Sequence, residues 1–306
     1  MKQDILIGCV ADDFTGASDA ASFLMSKGMK TILFNGKPDG EIPPCQAVVI
    51  ALKSRTQETK SAVADSMAAF TWLKEQGAQH LYFKYCSTFD STKEGNIGPV
   101  VDAMLEAFGE KYTILCPALP VNKRTVENGI LYVDGVPLSE THMKNHPLTP
   151  MWESEIAKLM DPQGKYQTLN VNTELLAKSK EEILAVVDEF GKDKEHFYIV
   201  PDYVNDENGT KIAEVFGDLT VLTGGSGILA PLAAKYQQAQ AAKDSMTNGV
   251  DGKGIVLAGS CSKATLEQIA DFQTKGYASY KIDPMAVLSG TETVDTVWDF
   301  VKAHAD

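Results

Sequence analysis

The stretch ILIGCVADDFTGASDAASFLMSKG, residues 5–28, decides the fold class. A short run rich in Ile, Leu and Val ends at two adjacent acids, Asp12 and Asp13. Thr15-Gly16 follows, then a helical pattern from Ala17 to Lys27, closed by Gly28. This reads as strand, tight turn, helix. Two carboxylates at a strand's end are costly to bury and pack poorly. Open α/β sheets bind ligands just beyond the carboxyl ends of their strands. A ligand therefore explains the pair better than packing does. The plainer alternative is a helix cap at one Asp and a solvated second one.

The same alternation continues outward from this unit. Strand patterns fall at 5–11, 30–34, 47–52, 80–85 and 112–116, and helical patterns at 17–27, 58–76 and 97–109. The order implies an α/β protein with mainly parallel sheets and flanking helices. Residues 117–150 interrupt it with five prolines, and ILYVDGVPL (130–138) predicts a hairpin turning at Asp134-Gly135. An excursion of this kind often closes over a site. Alternation then resumes with helix 153–160, strand 167–171, helix 173–190, strand 197–201, helix 206–216 and the unit VLTGGSGILAPLAAKY (221–236). Residues 237–254 are polar and contain Gly, which suggests a linker. GIVLAGSCSKATLEQIADF (254–272) starts another strand-turn-helix unit. The expected organisation is one domain over 1–245 and the first part of a second, apparently truncated, over 246–306.

Composition narrows the class. The 306 residues are 44% hydrophobic and 23% charged, ordinary for a soluble globular protein. The net charge of −13, from 41 acids and 28 bases, argues against nucleic-acid or anionic-membrane partners. No signal-peptide pattern or long apolar run is present. Five scattered cysteines without a CxxC indicate neither zinc nor disulfides, and reduced thiols fit a cytoplasmic protein.

Further strand ends carry polar groups. Lys53-Ser54-Arg55 follows AVVIAL; Arg grips a carboxylate with two hydrogen bonds and Lys supplies a compact charge. In LYFKYCSTFDST (81–92), Lys84 interrupts an apolar strand, while Ser87, Thr88, Asp90, Ser91 and Thr92 crowd its end. Hydroxyls both give and accept hydrogen bonds, so they suit a polyhydroxylated ligand. GNIGPV (95–100) opens a helix whose free amides could bind an anion. Asn122 and Arg124 lie beyond a fourth strand. Each end alone could be a solvated or cap-rich loop; their coincidence points to a shared pocket. His142 and His146 are spaced i, i+4, but a third ligand is lacking and Pro147 opposes a helix, so no metal site is expected. TGGSG (223–227) and AGSCS (258–262) are neither Walker A nor dinucleotide loops. Phosphate cradle and tight packing are both open for them. A buried Lys84 also raises the alternative of a Schiff-base aldolase or dehydratase.

Taken together, ADDFTGASD, LKSR, FKYCSTFDST, EGNIGPV, PALPVN, MKNHPLTPM, LTGGSG and GSCS, spread from residue 6 to about 262, resemble the four-carbon acid sugar kinase family. The resemblance implies ATP-dependent phosphorylation of the terminal hydroxyl of a four-carbon sugar acid. FKYCSTFDST and MKNHPLTPM suggest a 3-oxo-tetronate; D-threonate and D-erythronate are the alternatives, as is a non-catalytic acid-binding form. It further implies substrate contacts from Thr15, Gly16, Lys53, Ser54, Arg55, Lys84, Ser87, Asp90, Asn122 and Arg124. Asp12 or Asp13 would orient or deprotonate the attacking hydroxyl. Gly259, Ser260 and Ser262 match the family's first nucleotide-binding loop, and Mg²⁺ would travel with ATP. The family's later GG-x-TS segment is absent after position 262. The expected partners are a small acid sugar and ATP, with a homodimer compatible.

Overall fold

In the computed structural model, residues 5–146, 148–239, 254–259 and 263–304 are described. The chain divides into two compact units, Met1–Ser245 and Met246–Asp306.

The first unit begins with β1 (Ile7–Ala11) and α1 (Phe14–Ser26), then β2 (Thr31–Asn35), β3 (Ala47–Ala51), α2 (Thr59–Gln76), β4 (His80–Lys84), α3 (Ile97–Phe108) and β5 (Tyr112–Cys116). A small sheet follows: β6 (Arg124–Glu127), β7 (Ile130–Val133) and β8 (Val136–Pro137). The chain then runs through α4 (Ile156–Met160), β9 (Thr168–Val171), α5 (Thr173–Leu176), α6 (Lys180–Gly191), β10 (Phe197–Pro201), α7 (Asp206–Phe216), β11 (Val221–Gly224) and α8 (Leu229–Ala239). Eight strands form one sheet in the order β2-β3-β1-β4-β11-β5-β10-β9. Every pairing in it is parallel, as the alternating pattern requires. β1, β3 and β10 are buried along their whole length, which is why they read as unbroken apolar runs.

From β1 the chain leaves toward one sheet edge through α1, and from β4 toward the other through α3. Right-handed crossovers put α1 and α2 on opposite faces. Accordingly α1 packs with α8, and α2 packs with α3. The reversal opens a crevice beyond the carboxyl ends of β1 and β4, where such sheets hold ligands.

Several elements differ in detail from the pattern in the sequence. α1 starts at Phe14, not Ala17, because the Asp13 carboxylate accepts the Gly16 N–H at 2.7 Å and caps the helix there. The helical pattern 173–190 is two helices: Ser179 and Glu182 form a capping box that starts α6 afresh. The hairpin at Asp134-Gly135 forms, with both residues at positive φ (53° and 76°). A second two-residue turn at Asn128-Gly129 (φ 50° and 74°) adds β6, which the strand pattern did not reveal. That turn is held by buried Asp202, just after β10. Its carboxylate accepts the N–H groups of Asn128 (2.8 Å), Gly129 (3.0 Å) and Thr173 (3.0 Å) and the Asn170 amide (3.1 Å).

In the second unit the described residues form α9 (Lys263–Thr274), α10 (Pro284–Ser289) and α11 (Val294–Ala303). Among the described residues, 254–259, where a strand was expected, are exposed and pair with no strand. No helix of the described residues is long and apolar enough to cross a membrane.

Candidate active site

The site grows from the backbone of Asp12. Its N–H donates to the Lys84 carbonyl at 3.0 Å, and its carbonyl accepts from Ser54 (3.0 Å) and Arg55 (3.2 Å). One residue thus ties together the ends of β1, β3 and β4. Its side chain, 4% exposed, accepts two hydrogen bonds from Arg55, from Nε at 2.9 Å and Nη2 at 2.8 Å. Nη2 also lies 3.1 Å from Asp13 Oδ1, and Nη1 lies 3.9 Å from Asp90 Oδ2. Asp90 is set by its own loop: Thr88 donates to Asp90 Oδ1 at 2.6 Å and pairs with Cys86 Sγ at 2.9 Å. Phe89, just before it, is fully buried at φ 51°, a strained conformation for a bulky residue. Its burial against Tyr85 holds the turn that aims Asp90.

Three carboxylates therefore surround one guanidinium. Burial pushes the Asp12 carboxyl up, and the Arg55 hydrogen bonds, Arg55 charge and Lys84 pull it back. Burial works against the Arg55 charge, but the bond and charge of Asp12 outweigh it and hold the guanidinium cationic. Burial, aided by Asp90, pushes Cys86 up to about 11, so it stays a thiol and not a nucleophile.

Chemically, this arrangement suits hydroxyl groups. Arg55 spends its fork on Asp12, so only Nη1 remains for a ligand carboxylate or keto oxygen. Asp13, 31% exposed at its side chain, keeps Oδ2 free of hydrogen bonds among the described residues, and Asp90 Oδ2 likewise faces Nη1. Such carboxylate oxygens accept hydrogen bonds from the hydroxyls of a polyol.

The structure brings together Asp12, Asp13, Arg55 and Asp90, with Gly16, Ser54 and Lys84 against them. Gly16 is required: a Cβ there would strike the Asp13 carboxylate and come within 3.0 Å of Lys84 Nζ. Lys84 is 3% exposed and donates to the Tyr85 carbonyl at 2.8 Å. It is buried and engaged by the backbone, not the open amine a Schiff base needs. Ser54 is buried, and Ser87 is half-buried beside Cys86. Thr15 and Lys53 are exposed. Arg124 Nη1 donates to the Asn122 carbonyl at 2.9 Å, and no hydrogen bond or ion pair among the described residues links either residue to Asp12, Asp13, Arg55 or Asp90. Gly259 is exposed in the second unit, and Ser260 and Ser262 lie outside the described residues.

Of the two glycine loops, TGGSG resolves to packing. Cβ atoms on Gly224, Gly225 and Gly227 would collide with the carbonyls of Cys116, Pro117 and Ala118. His146 braces its own turn, its ring accepting the Thr149 N–H at 3.0 Å. Among the described residues no group of three or more His, Cys, Asp or Glu could hold a metal. Sequence reasoning missed Asn96, which stands behind the Arg55 loop. An Asn before a helix reads as a cap, and only its observed partners show otherwise.

The model of the sugar-binding N-terminal domain family matches residues 7–232. The chain belongs to this family. Its relatives include proteins named 3-oxo-tetronate kinase from Brucella melitensis and Haemophilus influenzae. The Brucella protein is 39% identical, covering 99% of this chain and 70% of its own length. The Haemophilus protein is 40% identical, covering 98% and 72%. Family members have also been solved. A Haemophilus influenzae structure superposes with a TM-score of 0.81 at 40% identity, covering 98% of this chain and 72% of that one. One from Salmonella typhimurium, titled a putative tRNA synthase, gives 0.85 at 39% identity, covering 97% and 69%. A more distant domain from Bordetella bronchiseptica, a domain-swapped dimer with bound citrate, gives 0.65 at 28%, covering 90% and 66%. These curated relatives are named as kinases, and this chain is an enzyme of that kind.

Proposed function

We propose that the protein transfers the γ-phosphoryl group of ATP to the terminal hydroxyl of a 3-oxo-tetronate, giving the 4-phosphate and ADP. The observation that carries this reading is the cluster at the strand ends: Arg55 held by Asp12, with Asp13 and Asp90 on its flanks. Asp13 has the exposure and the free Oδ2 to meet the attacking hydroxyl. It would orient that hydroxyl and take its proton as the oxygen bonds to phosphorus and ADP leaves. Asp12, buried and fully engaged, anchors Arg55 instead. Arg55 Nη1 and Asp90 would hold the keto and hydroxyl oxygens of the acid. The relatives named 3-oxo-tetronate kinase favour this substrate over other four-carbon acids.

The nucleotide would sit in the second unit, with the loop at Gly259, Ser260 and Ser262 toward the phosphates. Mg²⁺ would come with the phosphates, needing only one or two protein carboxylates. Residues 1–245 are then the acid-binding domain and 246–306 part of the nucleotide domain, in a soluble cytoplasmic enzyme, with homodimers a compatible assembly.

An ADP-release assay tests the reading. ADP should form with ATP, Mg²⁺ and a 3-oxo-tetronate, faster than with D-threonate or D-erythronate. In Asp13→Ala the rate should fall by roughly 10²-fold or more, the scale of losing a general base. Equal rates with and without the acid would refute it.

A further inference from the structure

The loop that carries Arg55 is gripped from behind by one side chain. Asn96 directly precedes α3, where Asn ordinarily caps through its side-chain oxygen. It makes no such cap bond. Its amide turns instead toward the residues after β3, and Nδ2 donates to the carbonyls of Ser54 (2.8 Å), Gln57 (2.9 Å) and Arg55 (3.3 Å). Three carbonyls at one end of the amide demand that the nitrogen lie there. Oδ1 then points the opposite way.

Oδ1 of Asn96 and Oγ of Ser54 have no hydrogen-bond partner among the described residues. Both residues are buried, at 6% and 2% exposure. Both line a cavity of about 10 Å³ whose walls also include Asp12, Arg55, Asp90 and Ser91. That is roughly the space one water needs, and a buried water requires about three polar partners. The walls meet the requirement: Ser54 can donate, while Asn96 Oδ1 and a carboxylate can each accept. Buried polar atoms left without partners are otherwise rare.

We infer that Asn96 is a positioning residue for Arg55, acting through the loop carbonyls and through one internal water that it holds together with Ser54. The inference rests on the proposed role of the Asp12–Arg55 cluster in binding the sugar acid. The loop carries the guanidinium whose Nη1 faces Asp90. Releasing the carbonyls or the water lets that group drift from its ligand-facing position.

Two measurements on the whole protein test this. A crystal structure at water-resolving resolution should show one ordered water about 3 Å from both Ser54 Oγ and Asn96 Oδ1. Either atom bonded to protein instead, or a dry cavity, would overturn the water. Calorimetric titration with a 3-oxo-tetronate supplies the second measurement. Asn96→Ala should weaken binding about tenfold or more, but by less than about twofold in an Arg55→Lys background, since both changes disturb one element. Equal losses in the two backgrounds would overturn the positioning role. Should Asn96→Ala fail to fold, Ser54→Ala removes only the water's donor and should show the same non-additivity. If the unaltered protein binds no 3-oxo-tetronate, the functional reading fails, and the ordered water alone decides the inference.

Discussion

Arg55 sits in the cluster at the strand ends, but its fork is not free. A cation after a strand suggested a grip for a substrate carboxylate. Its fork is instead closed on Asp12, and that pairing depends on the register of β1 beside β3. Arginine's planar donors fit two carboxylate oxygens at once, which a lysine ammonium cannot do. Removing one partner of a buried pair costs about 3–5 kcal/mol. Arg55→Lys keeps the charge, and Arg55 is partly exposed, so the expected loss is smaller, about 1–3 kcal/mol by urea denaturation. Weaker 3-oxo-tetronate binding should accompany it. An unchanged midpoint and unchanged affinity would show that the fork is dispensable. Asp12, Asp13 and Asp90 stood out as acids beyond apolar strands, and Asp13 also serves as the helix cap that the plainer reading offered. Lys53 carried the same signal but is exposed. Asn96 was not legible, since a helix-preceding Asn has a common local explanation that proved not to apply.

Among the elements, the small antiparallel sheet depends on a residue far away in sequence. Asn128-Gly129 and Asp134-Gly135 are the same turn chemistry, two residues at positive φ that match the strand twist. Only the second stood out, because clear apolar alternation flanks it, whereas RTVE offers little. The first turn is completed by Asp202, whose four donors come from three segments. Asp202→Ala should therefore lower stability by roughly 2–4 kcal/mol, as several buried N–H groups lose their acceptor together. Amide exchange should accelerate at 124–133 before it does in β1 or β3. Uniform acceleration across the molecule would show that Asp202 does not act locally. The capping box at Ser179 was equally present as S-x-x-E, but continuous helical periodicity hid it.

Across the whole molecule, the parallel sheet is what makes the site. All eight strands present their carboxyl ends on one side, and the reversal of winding between β1 and β4 leaves those ends uncovered by a crossover. Strand and helix alternation showed the parallel sheet in advance, because crossover helices leave a strong periodic trace, but it did not show the strand order or the reversal. It said less about the second unit, where an apolar run at 254–259 is exposed among helices. A strand pattern becomes a strand only when a neighbour completes its ladder. The account's central claim is that the crevice at this reversal holds the sugar acid, and a crystal structure with bound 3-oxo-tetronate tests it most directly. The account predicts ligand oxygens within hydrogen-bonding distance of Arg55 Nη1, Asp13 Oδ2 and Asp90 Oδ2. A ligand bound elsewhere, with these three groups touching only protein and solvent, would contradict it.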